Sequence, residues 1–600
     1  MRGLARTPHG PGQIRYDLPK DIPMNLSRRQ FTAGLLSATM LAGCATPQSR
    51  RKRPNIVTIV LDDVGFSDLG CFGGEIRTPN IDRLAARGLR FNRFDTKAVC
   101  SSTRAALLTG RNGHTVNFPD VPDTAWGDNG KHFGANAYHL PHNIRTTAEV
   151  LRDGGYATWA IGKWHLIPLD QLAPGTSREN WPRQRGFDYF YGFARGWTDQ
   201  YKPALVENDD YITPALPADY HLSADLIDRS IGLIGKHRRD GAGAKPFFLH
   251  LGLGVAHSPI QVPREWADGY AGQYDVGWDE IRRRRFARLR EMGLIPADTK
   301  LPPRDRDDRG WDELSDDERA VFARYMEVYA GFITHADAQI GRLLDSLEQQ
   351  GLAQDTLVVL LSDNGAASEA GQAGFFEELY RPNAIPPAQQ RRRIAELGTA
   401  SMQSEYPRPW ATASCAPFRR YKLFPFLGGV RTPLIMSWPG GMVGAGDVCR
   451  QLVDVVDLAP TLLAAAGMAF PSSVGGVAQI SVAGLSILPM LRNPATVVRT
   501  RQYFELRGHR AITDGPWRAV AIHDCANGYA QDRWQLFNMS TDFSEATDVA
   551  AAHPDIVTRM KALWQEEWQR HVGTALMQPA PNICRLNEEY DRPTMTIPDR

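Results

Sequence analysis

The chain reads as an α/β protein. A large doubly wound, mixed or parallel sheet flanked by helices precedes a smaller C-terminal α+β domain carrying an antiparallel sheet. Three observations predict this. Residues 55–61, 157–161, 246–251 and 356–361 are apolar runs, the pattern of strands buried on both faces of a parallel sheet. Helical segments at 78–86, 147–152 and 335–349 alternate with them, with Gly88 and Gly351 as stop signals. Beyond about residue 495 the chain changes to short strands at 503–506, 510–512, 517–522 and 534–537, then a helix over 553–571. The expected organisation is an N-terminal segment and linker over 1–53, a large α/β domain over 54–495, a C-terminal subdomain over 496–580 and an irregular tail over 581–600.

Composition narrows the function classes. With 42% hydrophobic and 23% charged residues and a net charge of +2, the 600-residue chain is an ordinary globular protein, and its charge points to no nucleic-acid partner. The run Arg282-Arg283-Arg284-Arg285 reads as the solvated face of a helix. Seven cysteines without a paired spacing make neither a disulfide framework nor a zinc site. Near the N-terminus, Arg28-Arg29 precedes an apolar run over 31–41, too short to span a bilayer, and Leu41-Ala42-Gly43-Cys44 follows. That is the layout of an export signal. Its first part resembles a signal for the twin-arginine export machinery. Its second part resembles a lipoprotein signal-peptidase box, which would make Cys44 a lipid anchor. Met24, just ahead of Arg28, is an alternative start. The expected location is the periplasm or cell envelope.

The ends of the buried strands carry the chemistry. Asp62-Asp63 follows the first run and Ser362-Asp363-Asn364-Gly365 the last, at the carboxyl ends where open α/β sheets bind ligands. Four oxygen-bearing side chains without a nearby Cys or His pair favour a hard cation, Ca²⁺ or Mg²⁺. Adjacent carboxylates would otherwise repel each other. Cationic and imidazole groups mark other strand ends: Lys163 and His165, expected on one side of an extended segment, and His257 follow strands, and Lys422 precedes Gly428-Gly429-Val430-Arg431 and the strand over 434–438. Residues 98–111 read as a helix start. Ser and Thr at 101–103 are its expected cap, Cys100 stands at its N-terminus, and Gly110 ends it. Arg104 lies one turn on and shares a face with Cys100. A nucleophile and a fixed cation at an anion-attracting helix end suit a charged tetrahedral ester.

The stretch beginning at Cys100 resembles the sulfatase signature, Cys-x-Pro-Ser/Thr-Arg followed by Leu-Leu-Thr-Gly-Arg. From about Pro54 to Trp568 the chain resembles the sulfatases of the alkaline phosphatase superfamily, the bacterial arylsulfatases most closely. The resemblance implies that a formylglycine-generating enzyme oxidises Cys100 to formylglycine (3-oxoalanine). It also implies that Asp62, Asp63, Asp363, Asn364 and position 100 hold Ca²⁺ rather than Mg²⁺. Cys100, Arg104, Lys163, His165, His257 and Lys422 then bind the sulfate or serve as nucleophile, acid and base. The implied activity is hydrolysis of a small-molecule or glycan sulfate ester. The alternatives are a phosphonate or phosphodiester hydrolase of the same superfamily, and a non-catalytic lipoprotein binding sulfated ligands if Cys100 is not converted. Ser102 departs from the signature proline, Cys415 from the family's asparagine, and Leu427 from the glutamate before Gly428-Gly429. Residues 366–414, with Pro382, Pro386, Pro387 and Gly398, and 264–325, with Trp266, Trp278 and Trp311, are expected as lids or pocket walls over the alcohol part of the substrate.

Overall fold

A computed structural model describes residues 53–125, 137–240, 245–305, 308–380, 384–576, 578–581 and 583–585. The export signal and Cys44 lie outside the described residues. From Arg53 onward the chain forms one compact unit. Its frame is a ten-stranded sheet in the order Val448–Cys449, Leu89–Phe91, Leu434–Ser437, Thr356–Ser362, Asn55–Leu61, Phe247–Gly252, Ala157–Lys163, Tyr189–Phe193, Val206–Glu207, Asp210–Tyr211. The five strands from Thr356–Ser362 to Tyr189–Phe193 are parallel. Leu434–Ser437 and the two short strands at the far edge pair antiparallel. The sheet is mixed, with a parallel centre.

Every residue of Asn55–Leu61 and Thr356–Ser362 is buried, which is why neither strand shows polar alternation. Leu61 pairs with Ser362 and Val60 with Gly252, so three parallel strands release their carboxyl ends side by side. The longest helix, Asp316–Gln349, starts at a reciprocal capping box between Ser315 and Glu318. Sequence periodicity marks only its second half, because residues 321–337 are buried on every side and show no polar face.

Three expectations change. Helix Gly277–Glu291 carries the arginine run, but only Arg283 and Arg284 are solvated; Arg282 and Arg285 are buried. A spacing of three puts that pair on the inner face, where Arg285 reaches Asp68 at 2.6 Å and Glu75 at 2.7 Å. Much of 264–325 is core rather than lid: Trp278 meets Trp311 and Trp410 edge-on, with ring centroids 4.7 and 5.6 Å apart. Trp410 sits on the buried helix Arg408–Ser414, so the end of 366–414 is core as well. Finally, Cys525 and Cys584 form a disulfide across 59 residues, a separation that no local spacing reveals.

The C-terminal sheet is an antiparallel meander of Arg501–Leu506, His509–Asp514, Trp517–Ala521 and Trp534–Asn538. Helix Pro554–His571 covers one face through Met560, Trp564 and Trp568. The sheet also braces the site. Arg518, fully buried, donates to Glu545 at 2.7 Å, to Thr513 Oγ1 at 2.8 Å and to the Pro425 carbonyl. Glu545 in turn accepts the Leu427 N–H at 2.8 Å, which pins the turn after Lys422.

Candidate active site

Each strand-end acid has its own cation. Asp62 Oδ2 accepts from Lys163 Nζ at 2.7 Å, and Asp63 Oδ2 from Lys422 Nζ at 2.9 Å. Asp363 Oδ2 accepts from Arg104 Nε at 2.9 Å, with Nη2 at 2.7 Å. Asn364 Nδ2 donates to Asp63 Oδ1 at 2.5 Å, tying the two strand ends together. The loops approach so closely that a Cβ on Gly365 would lie 1.9 Å from the Gly428 carbonyl oxygen; this contact requires glycine.

Helix Cys100–Thr109 begins at Cys100 itself, and the αL residue Gly110 closes it, its N–H reaching the Ala106 carbonyl at 2.8 Å. The expected hydroxyl cap is absent. The N-cap is Val99, while Ser101 donates to the His165 carbonyl at 2.9 Å, Ser102 to Phe118 at 2.7 Å and Thr103 to Lys97 at 3.1 Å. No side chain caps this end, so its first N–H groups and positive dipole are left to an anion. Lys163 is the last residue of its strand, and His165 follows at φ 58°, so a turn rather than strand alternation brings both to the site.

His165 Nδ1 lies 3.3 Å from Cys100 Sγ, and its Nε2 lies 3.0 Å from Asp123 Oδ2. Arg195 holds the other Asp123 oxygen at 2.7 Å. His257 Nδ1 is 2.8 Å from the Ser258 carbonyl, and its Nε2 lies 3.7 Å from Asp63 Oδ2. All ten predicted site residues therefore meet in one buried network. Sequence reading missed Asp123 and the acids Glu369 and Glu405. Glu369 binds Lys422 Nζ at 2.6 Å. None of these three directly follows a buried strand or opens the helix at 100, the signals that located most of the others. Of the departures, Cys415 Sγ accepts the Ala366 N–H at 3.4 Å behind Asn364, and Leu427 is fully buried.

Burial dominates the electrostatics. It pushes the Asp62 carboxyl up to about 8, against the pull of Lys163, with Asp363 and Asp63 adding repulsion. Asp63 and Asp363 stay below the usual carboxylate range: burial would raise both, and Lys422 and His257 for one, Arg104 and Lys163 for the other, overcome it. Burial pushes the Cys100 thiol up to about 12 and both site histidines down to about 4, so the unmodified thiol is a poor nucleophile at neutral pH. Asp62 Oδ1 and Asn364 Oδ1 are buried without hydrogen-bond partners, and donor atoms of Asp62, Cys100 and Asp363 lie within 4.8 Å of one another. Crowded acids with orphaned oxygens fit a hard divalent cation bound through oxygen.

Paired acids, three fixed cations, a helix N-terminus and two histidines converging on one residue define a hydrolase for esters of a tetrahedral oxyanion. The sulfatase family model matches residues 54–468, and a second, described as N-sulphoglucosamine sulphohydrolase, C-terminal, matches 421–569. An arylsulfatase of Klebsiella aerogenes is 31% identical over 79% of this chain and 98% of its own. An uncharacterized sulfatase of Schizosaccharomyces pombe is 30% identical over 86% and 94%. The solved structure of Ps i-CgsB with k-i-k-neocarrahexaose superposes with a TM-score of 0.59 at 22% identity, covering 89% of this chain and 97% of that one. The chain belongs to the sulfatase family and is a sulfuric ester hydrolase.

Proposed function

We propose that the chain hydrolyses sulfate monoesters through a formylglycine formed from Cys100 and a Ca²⁺ held by Asp62, Asp63, Asp363 and Asn364. The observation that carries this reading is the convergence on position 100 of Asp62 and Asp363, one from each strand end. When present, Ca²⁺ supplies positive charge for the sulfate oxygens, and hydrated formylglycine supplies an oxygen nucleophile. The remaining work falls to side chains of this chain. Lys163 and Lys422 neutralise sulfate oxygens, and Arg104, fixed by Asp363, keeps the helix end cationic.

His257 is the acid for the departing alcohol. Its Nδ1 is anchored on the Ser258 carbonyl, which aims Nε2 at the site. An anionic substrate offsets Lys422 and Lys163, whose charges help to depress this imidazole, so binding itself raises its proton affinity. His165 is the base for position 100. Donation from Nε2 to Asp123 leaves the Nδ1 lone pair facing residue 100. The export-type N-terminus and the Cys525–Cys584 bridge support a location outside the cytoplasm, in the periplasm or cell envelope.

The test is the mass of the tryptic peptide 98–104 from protein made in a host that performs the oxidation. An aldehyde or its hydrate at position 100 is expected. An intact thiol in active protein would overturn the reading.

A further inference from the structure

Next to Lys422 and His165 the chain builds an apolar cluster. Ala370, Phe375 and Leu379 are buried together with Trp197 packed on them. Tyr380, 50% exposed, extends this wall; its ring centroid is 5.9 Å from Phe375 and 6.4 Å from Trp197. Trp197 and Tyr380 are tilted by 51° and touch each other, so they form a bent platform rather than a slot.

Both ends of the platform are tied to reacting groups. Gly196, next to Trp197, packs so tightly on His165 that a Cβ there would sit 2.7 Å from the ring. Tyr380 lies close enough to Lys422 to bear on its charge. At the foot of the wall, Glu405 exchanges two backbone hydrogen bonds with Phe375, at 2.9 and 3.0 Å. Its side chain is 1% exposed, beside Glu369, Lys422 and Ser258, and neither carboxyl oxygen makes a well-formed hydrogen bond. A buried carboxyl whose oxygens lack a well-formed hydrogen bond costs free energy that a ligand hydroxyl would recover.

We propose that this wall is the subsite for the alcohol portion of the substrate: a ring, sugar or aryl, lies with its face on Trp197 and Tyr380, and Glu405 hydrogen-bonds a hydroxyl beside the ester. The placement rests on the sulfatase reading, which puts the sulfate between Lys163 and Lys422. Stacking needs only a flat apolar face, which an aryl ring and the C–H face of a pyranose both offer; Glu405 adds selection for the hydroxylated ring.

The test measures binding of three non-hydrolysable sulfonates to full-length Cys100→Ala protein by calorimetry: ethanesulfonate, benzenesulfonate and a hexopyranose 6-sulfonate. At least one ring compound is expected to bind about ten-fold tighter than ethanesulfonate. Trp197→Ala and Tyr380→Ala should each remove that advantage, and Tyr380 is exposed enough for its variant to keep the fold. Glu405→Gln should weaken the sugar sulfonate about ten-fold more than benzenesulfonate. Which ring binds tighter names the source, and either result supports the wall. Equal affinity for all three probes, or a ring preference that survives both aromatic replacements, overturns it. If no sulfonate binds, ethanesulfonate included, the sulfate site itself is misplaced and the wall falls with it.

Discussion

Replacing Arg518 by Met tests whether the C-terminal sheet braces the catalytic turn. Arg518 is fully buried and donates to Glu545, Thr513 and the Pro425 carbonyl, so the replacement deletes three hydrogen bonds. It also strands the Glu545 carboxylate, which keeps only the Leu427 N–H. Breaking a buried pair by removing one partner costs about 3–5 kcal/mol. The cost depends on pH. Burial already raises the Glu545 carboxyl above its ordinary 4.5, against the pull of Arg518, and removing that cation raises it further. A folded pKa above the unfolded one means that folding takes up a proton between the two values. The contribution of Glu545 to stability is therefore greatest below pH 4.5 and is lost as pH rises through the raised folded value. Arg518→Met should thus lose more stability at pH 8 than at pH 5. The double variant Arg518→Met with Glu545→Gln, which leaves no buried charge, should recover most of the loss. Urea unfolding at both pH values, followed by fluorescence and by residual activity, measures this. Equal losses at pH 5 and pH 8, together with a double variant no better than the single one, would refute the reasoning.

Other outcomes follow from the same geometry. Chelation should lower the thermal midpoint, and added Ca²⁺ at about a thousand times its Kd should restore about 4 kcal/mol; Asp363→Asn should remove the response. Cys100→Ala should keep its circular dichroism spectrum yet lose at least about a thousand-fold in kcat, and activity near the wild-type level would sink the assigned nucleophile. Asp123→Asn, which disturbs the hydrogen bond that orients His165, should lower kcat about a hundred-fold with little change in KM, read in steady-state assays. Gly365→Ala would set a methyl carbon 1.9 Å from the Gly428 oxygen, so poor expression or loss of both metal response and activity is expected.

The sheet and the ten site residues were legible because both depend on short local patterns. A doubly covered strand must be apolar throughout, and an acid or amide directly after it, as at Asp62 or Asn364, stands out against that background. The misses have the opposite character. Asp123 lies on a short 3₁₀ turn, Glu369 in a loop and Glu405 at an isolated bridge with Phe375, places where a carboxylate looks like any solvated acid until a partner far along the chain, such as Lys422, is placed beside it. The arginine run fails for a related reason: identical residues spaced around a helix are divided between water and core by neighbours, and Asp68 and Glu75 lie more than two hundred residues upstream. Tryptophans at 278 and 311 read as pocket-lining because nothing nearby shows that they pack on each other and on Trp410, about a hundred or more residues away.

Burial of position 100 also sets an order of events. Cys100 is 2% exposed, seated at the first turn of a helix and closed over by His165 and by loops from distant parts of the chain. If the thiol is oxidised as proposed, the oxidising enzyme would have to reach it before those loops are in place. On the proposed formylglycine reading, conversion would therefore compete with folding, and whichever finished first would decide whether a given molecule became active. Mutations that speed the closing of the Cys100 helix against its neighbours would yield a stable, correctly shaped and permanently silent protein. Slower folding, ordinarily a liability, here widens the interval in which the chain can be completed.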